Sequence, residues 1–189
     1  MTQRNSLLVR WSLRRTDMAN TWTVYASSVA FAVNKNMIAV LNGGSRVLRI
    51  RRVGLLNNQT VALTGAVCSG EIRRYVSAGL SGQSDITPLA HDTSNSALVS
   101  VTIGTGGTPS GTPSTFRRYV WSSDEPVVGG ASVDELECLV PLNIIWDSGY
   151  GDANVQPLVL RQNELFCIYN TAGASGLVDL WIEFTDEAS

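Results

Sequence analysis

The hydrophobic residues of this chain fall in short runs rather than at helical spacing. Runs rich in β-branched and aromatic residues are separated by clusters of Gly, Asn, Ser and Pro. This spacing is typical of the strands of a sandwich or barrel. The pattern predicts an all-β domain over residues 21–189, either an antiparallel β-sandwich or a jelly-roll-like barrel. A basic, extended arm is predicted over residues 1–20.

A β-hairpin is predicted near the start of this domain. Two candidate strands, residues 37–41 and 46–53, flank the sequence Asn42-Gly43-Gly44-Ser45. These four residues tolerate the positive φ angles that tight hairpin turns require, so the two runs are expected to pair.

The last part of the chain predicts a three-stranded meander. Residues 155–160, 165–169 and 177–184 are apolar runs separated by short polar turns. In the last run every second residue is apolar, which assigns one face of that strand to the core. The residues of this face are Val178, Leu180, Ile182 and Phe184.

Two segments have the composition of loops. Residues 77–96 and 104–115 are rich in small and polar residues, and the second has no hydrophobic member. Long loops in a compact domain are often functional or contact a partner.

Further strands are predicted over residues 61–67, 71–76, 97–103, 116–121 and 139–146.

Charge is sorted along the chain. Residues 1–74 carry eleven basic and two acidic side chains, whereas residues 75–189 carry three basic and fourteen acidic ones, giving a net charge of −2. The basic part could face nucleic acid, an acidic partner, or the acidic part of a neighbouring copy. The net acidic charge of the whole chain disfavours nucleic acid. The partner-binding residues predicted from this pattern are Arg10, Trp11, Arg14 and Arg15 in the arm, and Arg49 and Arg51 on a cationic strand face.

The three cysteines, Cys68, Cys138 and Cys167, do not form a recognisable metal or disulfide pattern. Their number is odd, no Cys-x-x-Cys occurs, and the chain has one histidine. We interpret them as buried thiols in a reducing compartment. No apolar run approaches the roughly 18 residues of a membrane-spanning helix, so no membrane partner is expected.

Two constellations have residue types that can carry chemistry. His91-Asp92, with Ser94 and Ser96, contains the components of a hydrolytic triad, but no Gly-x-Ser-x-Gly accompanies them. The segment 147–152 places two carboxylates around glycines, which suits either a cation site or an ordinary turn. A solvated loop histidine and a plain turn are the favoured interpretations. We therefore expect no enzyme activity, no cofactor and no metal.

Aromatic residues near arginines leave two further hypotheses open. Arg73 with Tyr75, and Arg117 with Tyr119 and Trp121, would each project from one face of a strand and could form a stacking platform for single-stranded nucleic acid. Arginines on exposed strands also prevent sheet aggregation, and this interpretation is favoured. A sugar-stacking surface could instead be formed by tryptophans and tyrosines that more often fill cores. The candidates for that surface are Trp121, Trp146, Tyr150 and Trp181.

The C-terminal strands resemble those of tailed-bacteriophage virion proteins. The resemblance lies in Leu158-Val159-Leu160-Arg161-Gln162-Asn163-Glu164-Leu165 and in Val178-Asp179-Leu180-Trp181-Ile182-Glu183-Phe184-Thr185. Similar endings occur in β-sandwich capsid decoration, or cement, proteins. The resemblance implies a structural protein that binds the major capsid protein or another virion part, often as a trimer, after assembly in the host cytoplasm. A sugar-binding tail or fibre component and a nucleic-acid-binding β-domain remain as alternatives.

Overall fold

The computed structural model describes residues 19–57, 66–123, 143–148, 155–172 and 176–187. Every helix or strand assigned within these ranges is a β-strand. The strands are β1 (Asn20–Ala30), β2 (Asn36–Asn42), β3 (Val47–Asn57), β4 (Ala66–Ser81), β5 (Ser84–Asp85), β6 (Leu89–Ala90), β7 (Val101–Thr105), β8 (Thr108–Ser123), β9 (Asn143–Asp147), β10 (Leu158–Leu160), β11 (Glu164–Asn170) and β12 (Leu177–Glu187).

The strands form two antiparallel sheets. Sheet A has the order β10-β3-β12-β1-β6, with β9 also beside β3, and sheet B has the order β5-β7-β2-β11-β4-β8. Their inner faces pack together around one hydrophobic core. The prediction of an antiparallel all-β sandwich is therefore confirmed. Core residues from both sheets that have no exposed surface include Ile38, Leu48, Phe166 and Phe184.

The strand pairing is nested. β1 pairs with β12, β2 with β11, β3 with β9 and β10, and β4 with β8. The first strand thus pairs with the last one, the second with the last but one, and so on toward the middle of the sequence. Two antiparallel sheets built by this folding of one long ribbon have the strand order of a jelly roll.

The predicted hairpin over residues 37–53 is wrong. β2 lies in sheet B and β3 in sheet A, so the turn between them is a corner that crosses from one sheet to the other. Asn42 fixes this corner because its Nδ2 donates to the carbonyls of Arg46 at 2.7 Å and Leu160 at 3.1 Å. The N–H of Gly43 donates to Ser100. Turn-forming residues permit a reversal of direction, but they do not specify the strand that becomes the neighbour.

The predicted meander is also wrong, although its strands exist. β10 and β12 belong to sheet A, whereas β11 lies in sheet B between β2 and β4. The predicted core face of β12 is confirmed, since all four of its residues are fully buried. Alternation identifies a buried face, but either sheet of a sandwich can bury it.

The two predicted loops are largely replaced by strands. Residues 77–81 belong to β4 and residues 108–115 to β8, and these strands pair with each other. The backbone ladder holds them, so their small polar side chains can remain exposed. Between them, β6 pairs with β1 in sheet A and β7 with β2 in sheet B. The excursion over residues 82–107 therefore ties the two sheets together.

Of the other predicted strands, some are confirmed, one is shorter than predicted and parts of two lie outside the described residues. Residues 71–76 lie in β4 and residues 116–121 in β8, as predicted. β7 begins only at Val101, because residues 97–100 carry no strand pairing. The predictions for residues 61–65 and 139–142 lie outside the described residues.

A glycine in sheet A faces an indole ring. Gly54 in β3 is the cross-strand partner of Trp181 in β12. A Cβ added at Gly54 would lie 2.2 Å from Cε2 and 2.3 Å from Nε1 of Trp181. The Trp181 ring therefore occupies the space that a side chain at position 54 would need, and no larger residue fits there while the ring keeps its position.

We expect Gly54→Ala to destabilise the protein by about 1–3 kcal/mol, because the new methyl group displaces the Trp181 ring. Urea unfolding of the two single variants and the double variant Gly54→Ala/Trp181→Ala measures this. In the Trp181→Ala background the cost of the alanine should fall below about 1 kcal/mol. Equal costs in both backgrounds would contradict the proposed steric conflict.

Candidate interaction surface

The cationic face of β3 meets acidic residues of β12. Arg49 Nε lies 2.6 Å from Glu187 Oε2, and Arg51 Nη2 lies 3.5 Å from Glu187 Oε1. Arg51 Nε also donates to Thr185 Oγ1 at 3.3 Å. Two guanidinium groups therefore share one carboxylate at this end of sheet A.

The remaining arginines of this basic run are also paired. Arg46 Nε lies 2.6 Å from Asp186 Oδ1, and Asp186 is only 2% exposed. Arg52 Nε lies 3.3 Å from Asp147 Oδ2, in β9. The charge separation seen along the sequence is thus partly cancelled in space, because the basic strand pairs with the acidic one.

Arg49 and Arg51 remain accessible despite these ion pairs. Their side chains are 32% and 39% exposed. Exposed ion pairs contribute only about 0–1 kcal/mol, so a carboxylate on another protein can compete with Glu187. Partner binding by these two residues stays a prediction. The other predicted partner residues, Arg10, Trp11, Arg14 and Arg15, lie outside the described residues.

A second charged cluster lies on the outer face of sheet B around Glu71. Its carboxylate accepts hydrogen bonds from Arg73 Nε at 2.7 Å, Thr115 Oγ1 at 2.8 Å and Arg118 Nε at 2.9 Å. Glu71 is 5% exposed, whereas the Arg118 side chain is 82% exposed. A buried carboxylate is therefore neutralised from two strands, β4 and β8.

The surroundings of Glu71 set its ionisation. Burial by itself would raise its pKa, but the hydrogen bonds from Arg73, Thr115 and Arg118 and the charge of Arg73 lower the pKa overall. The carboxylate is consequently the form that the folded protein stabilises. Sequence reasoning missed this cluster. The alternation Glu71-Ile72-Arg73, which places the acid and the base on one strand face, was the available signal.

A small apolar cluster adjoins these charges. Tyr75, Leu165 and Cys167 are buried on the outer face of sheet B, and the Arg73 guanidinium lies 3.8 Å from the centre of the Tyr169 ring. Cys167 is a free, buried thiol whose pKa is raised by burial. The interpretation of this cysteine as a buried thiol is confirmed. The side chains of Cys68 and Cys138 lie outside the described part.

The two arginine–aromatic groups proposed for nucleic acid lie on opposite faces of sheet B. Arg73 and Tyr75 lie on the outer face of sheet B, whereas Tyr119 packs against the central core and its hydroxyl contacts Met37 Sδ at 3.7 Å. The register explains this, because Arg117 is opposite the inward-facing Ile72. Residues directly opposite in a sheet share a face, so the two arginine–tyrosine pairs point in opposite directions.

Of the four candidate sugar-binding aromatics, the structure describes the side chains of Trp146 and Trp181. Trp146 is half-buried and meets Phe116 edge to face, with ring centroids 6.3 Å apart. Trp181 lies on β12, beside Tyr25 of β1. The side chain of Trp121 and all of Tyr150 lie outside the described residues.

The hydrogen bonds around His91 do not run in the order of a hydrolytic triad. His91 Nε2 lies 2.7 Å from Thr23 Oγ1. Asp92 Oδ1 accepts from both the N–H and the hydroxyl of Ser94 at 2.8 Å, and these bonds lower the pKa of Asp92. Asp92 thus closes a local turn, while the histidine contacts β1.

The proposed cation site over residues 147–152 is only partly visible. Asp147 pairs with Arg52, whereas residues 149–152 lie outside the described ranges. Within those ranges, no three His, Cys, Asp or Glu residues are grouped so that they could hold a metal ion. The same residues include no helix with the length and hydrophobicity needed to cross a membrane.

Comparison with known proteins found no similarity that identifies a family. No family model matches the chain, and neither the curated proteins nor the solved structures give a match.

We expect Glu71→Gln to destabilise the protein by about 1–3 kcal/mol at neutral pH, because Arg73 loses a buried charged partner. The lowered pKa of Glu71 means that its contribution is fully present above about pH 4.3, the ordinary value for glutamate, and is lost as pH falls through the folded-state pKa. Chemical denaturation of wild type and variant between pH 7 and pH 3 should therefore show a shrinking difference.

Glu187→Gln is the matched control. Glu187 also bridges two arginines, but it is more exposed than Glu71. We expect this variant to lose less than about 1 kcal/mol. A loss as large as that of Glu71→Gln, or a Glu71→Gln effect independent of pH, would contradict the assigned role of burial.

Proposed function

We propose that this protein is a non-enzymatic structural protein of a virion, of the decoration or cement type, which binds and reinforces an assembled phage capsid. The observation that carries the proposal is the nested strand pairing of the jelly roll. Capsid and lectin domains are built on this architecture, as are cupins. Because one fold supports several functions, the choice among them depends on the surface.

The surface features support binding to proteins. Arg49 and Arg51 share Glu187, so the local charge at this end of sheet A remains positive and partly exposed. The basic arm precedes β1, and the acids of residues 75–189 supply complementary charge on another copy. We propose that Arg10, Trp11, Arg14 and Arg15 bind there, with the major capsid protein or other virion proteins as partners. Binding only to the folded form would also stabilise the domain.

The proposed setting is a virion assembled in the host cytoplasm, with the chain as a homo-oligomer. A trimer is the arrangement that the resemblance to decoration proteins suggests. Many modest contacts between copies would then reinforce a shell through their number rather than through the strength of any one contact.

A carbohydrate-binding tail or fibre domain is the second candidate. The observation in its favour is that Tyr25, 49% exposed, neighbours Trp181 on the outer face of sheet A. Aromatic side chains with one open face can stack on sugars, and lectins include jelly rolls. Trp181 is one of the aromatic residues that the sequence suggests for a sugar-stacking surface, whereas Tyr25 is not among them.

Deletion of residues 1–20 should abolish binding to capsids while leaving a soluble, folded domain. Full-length and truncated chains are incubated with capsids that lack this protein, and the bound copies are counted by electron microscopy. A matched variant, Arg10→Ala/Arg14→Ala/Arg15→Ala, should lose most of the binding. Unchanged occupancy of either variant would contradict the proposal.

Glycan-array and DNA-binding measurements on the full chain distinguish the alternatives. Selective glycan binding that is lost in Trp181→Ala, without capsid binding, would favour the tail or fibre domain. DNA binding that weakens steeply with salt would favour a nucleic-acid-binding domain, because phosphate contacts release counterions.

A further inference from the structure

One long edge of the sandwich is formed by β8 of sheet B and β9 of sheet A. β8 is the outermost strand of sheet B, and β9 lies beside β3 on the side away from β12. Arg117 Nη1 of β8 donates to the carbonyl of Ile145 in β9 at 3.4 Å, so the two strands lie against each other. A ligand bound at this edge would contact both sheets.

Arg74 of β4 is an arginine without a counterion on the inner face of sheet B. Its cross-strand partner in β11 is the fully buried Phe166, and residues directly opposite share a face. Arg74 is half-buried, and its Nε is buried without a hydrogen-bond acceptor. Within the described ranges, no carboxylate forms an ion pair with Arg74 or Arg117. A guanidinium is always protonated, so an anion would compensate a charge that is partly withdrawn from water.

A β-bulge directs an aromatic ring to the same place. The pairing of β4 with β8 shifts register between residues 72 and 73, which leaves Phe116 without an opposite residue. Such an extra residue bends the strand and re-aims its side chain. Phe116 is 45% exposed, and its ring centre lies 5.3 Å from Arg74 Cζ and 6.3 Å from the ring centre of Trp146. The arginine and the indole therefore border one partly open ring.

Trp146 brings a second donor that lacks an acceptor. Its cross-strand partner in β3 is the buried Val53, so the indole lies on the inner face of sheet A. Its Nε1 is buried, and no described residue accepts a hydrogen bond from it. The neighbouring acid, Asp147, occupies the alternate position of β9 and pairs with Arg52 at 3.3 Å. Buried donors without acceptors are costly, so this edge of the sandwich favours a ligand that supplies oxygen atoms.

We infer that this edge binds a small ligand that carries an oxyanion, either a carboxylate or a phosphate, on a flat ring. The residues of this edge site are Arg74, Phe116, Arg117 and Trp146. A planar guanidinium fork suits the oxygens of either oxyanion, and the second arginine adds positive charge at the exposed side. The ring of the ligand would stack on Phe116. The inference is independent of the proposed capsid role, because the edge site includes neither the arm nor the cationic face of β3.

The test is two-dimensional nitrogen–proton NMR of the full-length chain, which observes the Nε1–H of Trp146 and the Nε–H of Arg74 directly. Phenyl phosphate and benzoate are the probes with a ring, and inorganic phosphate and acetate are the matched probes without one. Both N–H signals should shift saturably with a ring-bearing probe, with half-saturation below about 10 mM. The matched probe without a ring should need at least about threefold more.

Two variants with the same loss of charge locate the binding. Arg74→Gln should raise the half-saturating concentration at least about tenfold, because a charge-assisted hydrogen bond is lost. Arg161→Gln removes an exposed arginine in the turn between β10 and β11, and as the matched control it should change this concentration less than about twofold. Without a probe, Arg74→Gln should melt no lower than wild type, because the charge that it removes lacks a counterion.

Trp146→Phe keeps a ring but removes the indole N–H. It should weaken binding at least about threefold, as read from the Arg74 signal, and its lost peak identifies the Trp146 signal. This variant also keeps the inference falsifiable if Arg74→Gln does not fold.

Four results would overturn the inference. These are the absence of a saturable shift, equal weakening by Arg74→Gln and Arg161→Gln, unchanged binding by Trp146→Phe, and equal affinity for probes with and without a ring. A preference for phenyl phosphate or for benzoate would support the edge site in either case, and it would identify the oxyanion as phosphate or carboxylate.

Discussion

The structure depends on the position of β12 in the middle of sheet A. This strand lies between β1 and β3 and is paired with both along nearly its whole length. Its inward residues fill the core, and its outward residues supply acids to the arginines of β3. One strand therefore contributes to the sheet, to the core and to the charge pairing. Displacing β12 would disturb all three together.

The same strand changes the meaning of the charge pattern. Along the sequence, a basic first part and an acidic second part suggest two surfaces that attract other molecules. In space, Arg46, Arg49, Arg51 and Arg52 are paired with acids of their own chain. A net positive charge remains only where acids are outnumbered, as at Glu187, whose single carboxylate pairs with both Arg49 and Arg51. Charge sorting in a sequence thus reports strand neighbours as well as binding surfaces.

The sequence predicted the fold class and the buried face of β12, because alternation depends only on which side of a strand is apolar. It did not predict the neighbours of the strands. The corner at Asn42 and the separation of β10 from β11 depend on contacts distant in sequence, such as the bond from Asn42 to Leu160. The small polar side chains of residues 108–115 predict a loop, whereas the backbone pairing of β8 with β4 makes these residues a strand.

The candidate surface was predictable only in part. Arg49 and Arg51 were recognised from alternation, but their shared partner Glu187 lies far away in sequence. Glu71 was visible as an isolated acid in a basic region, whereas its enclosure by Arg73, Thr115 and Arg118 required the pairing of β4 with β8. The unpaired Nε of Arg74 had no sequence signal, because burial and partners are properties of the folded chain.

The nested order has a consequence for how the chain is made. About 150 residues separate the end of β1 from the start of β12, so at ribosomal speeds of roughly 5–20 residues per second β1 emerges about 7–30 s before its central neighbour. During that interval β1 and β3 lack the strand that joins them. Until β12 has been translated, the apolar faces and unpaired edges of β1 and β3 are therefore exposed to contact with other polypeptides.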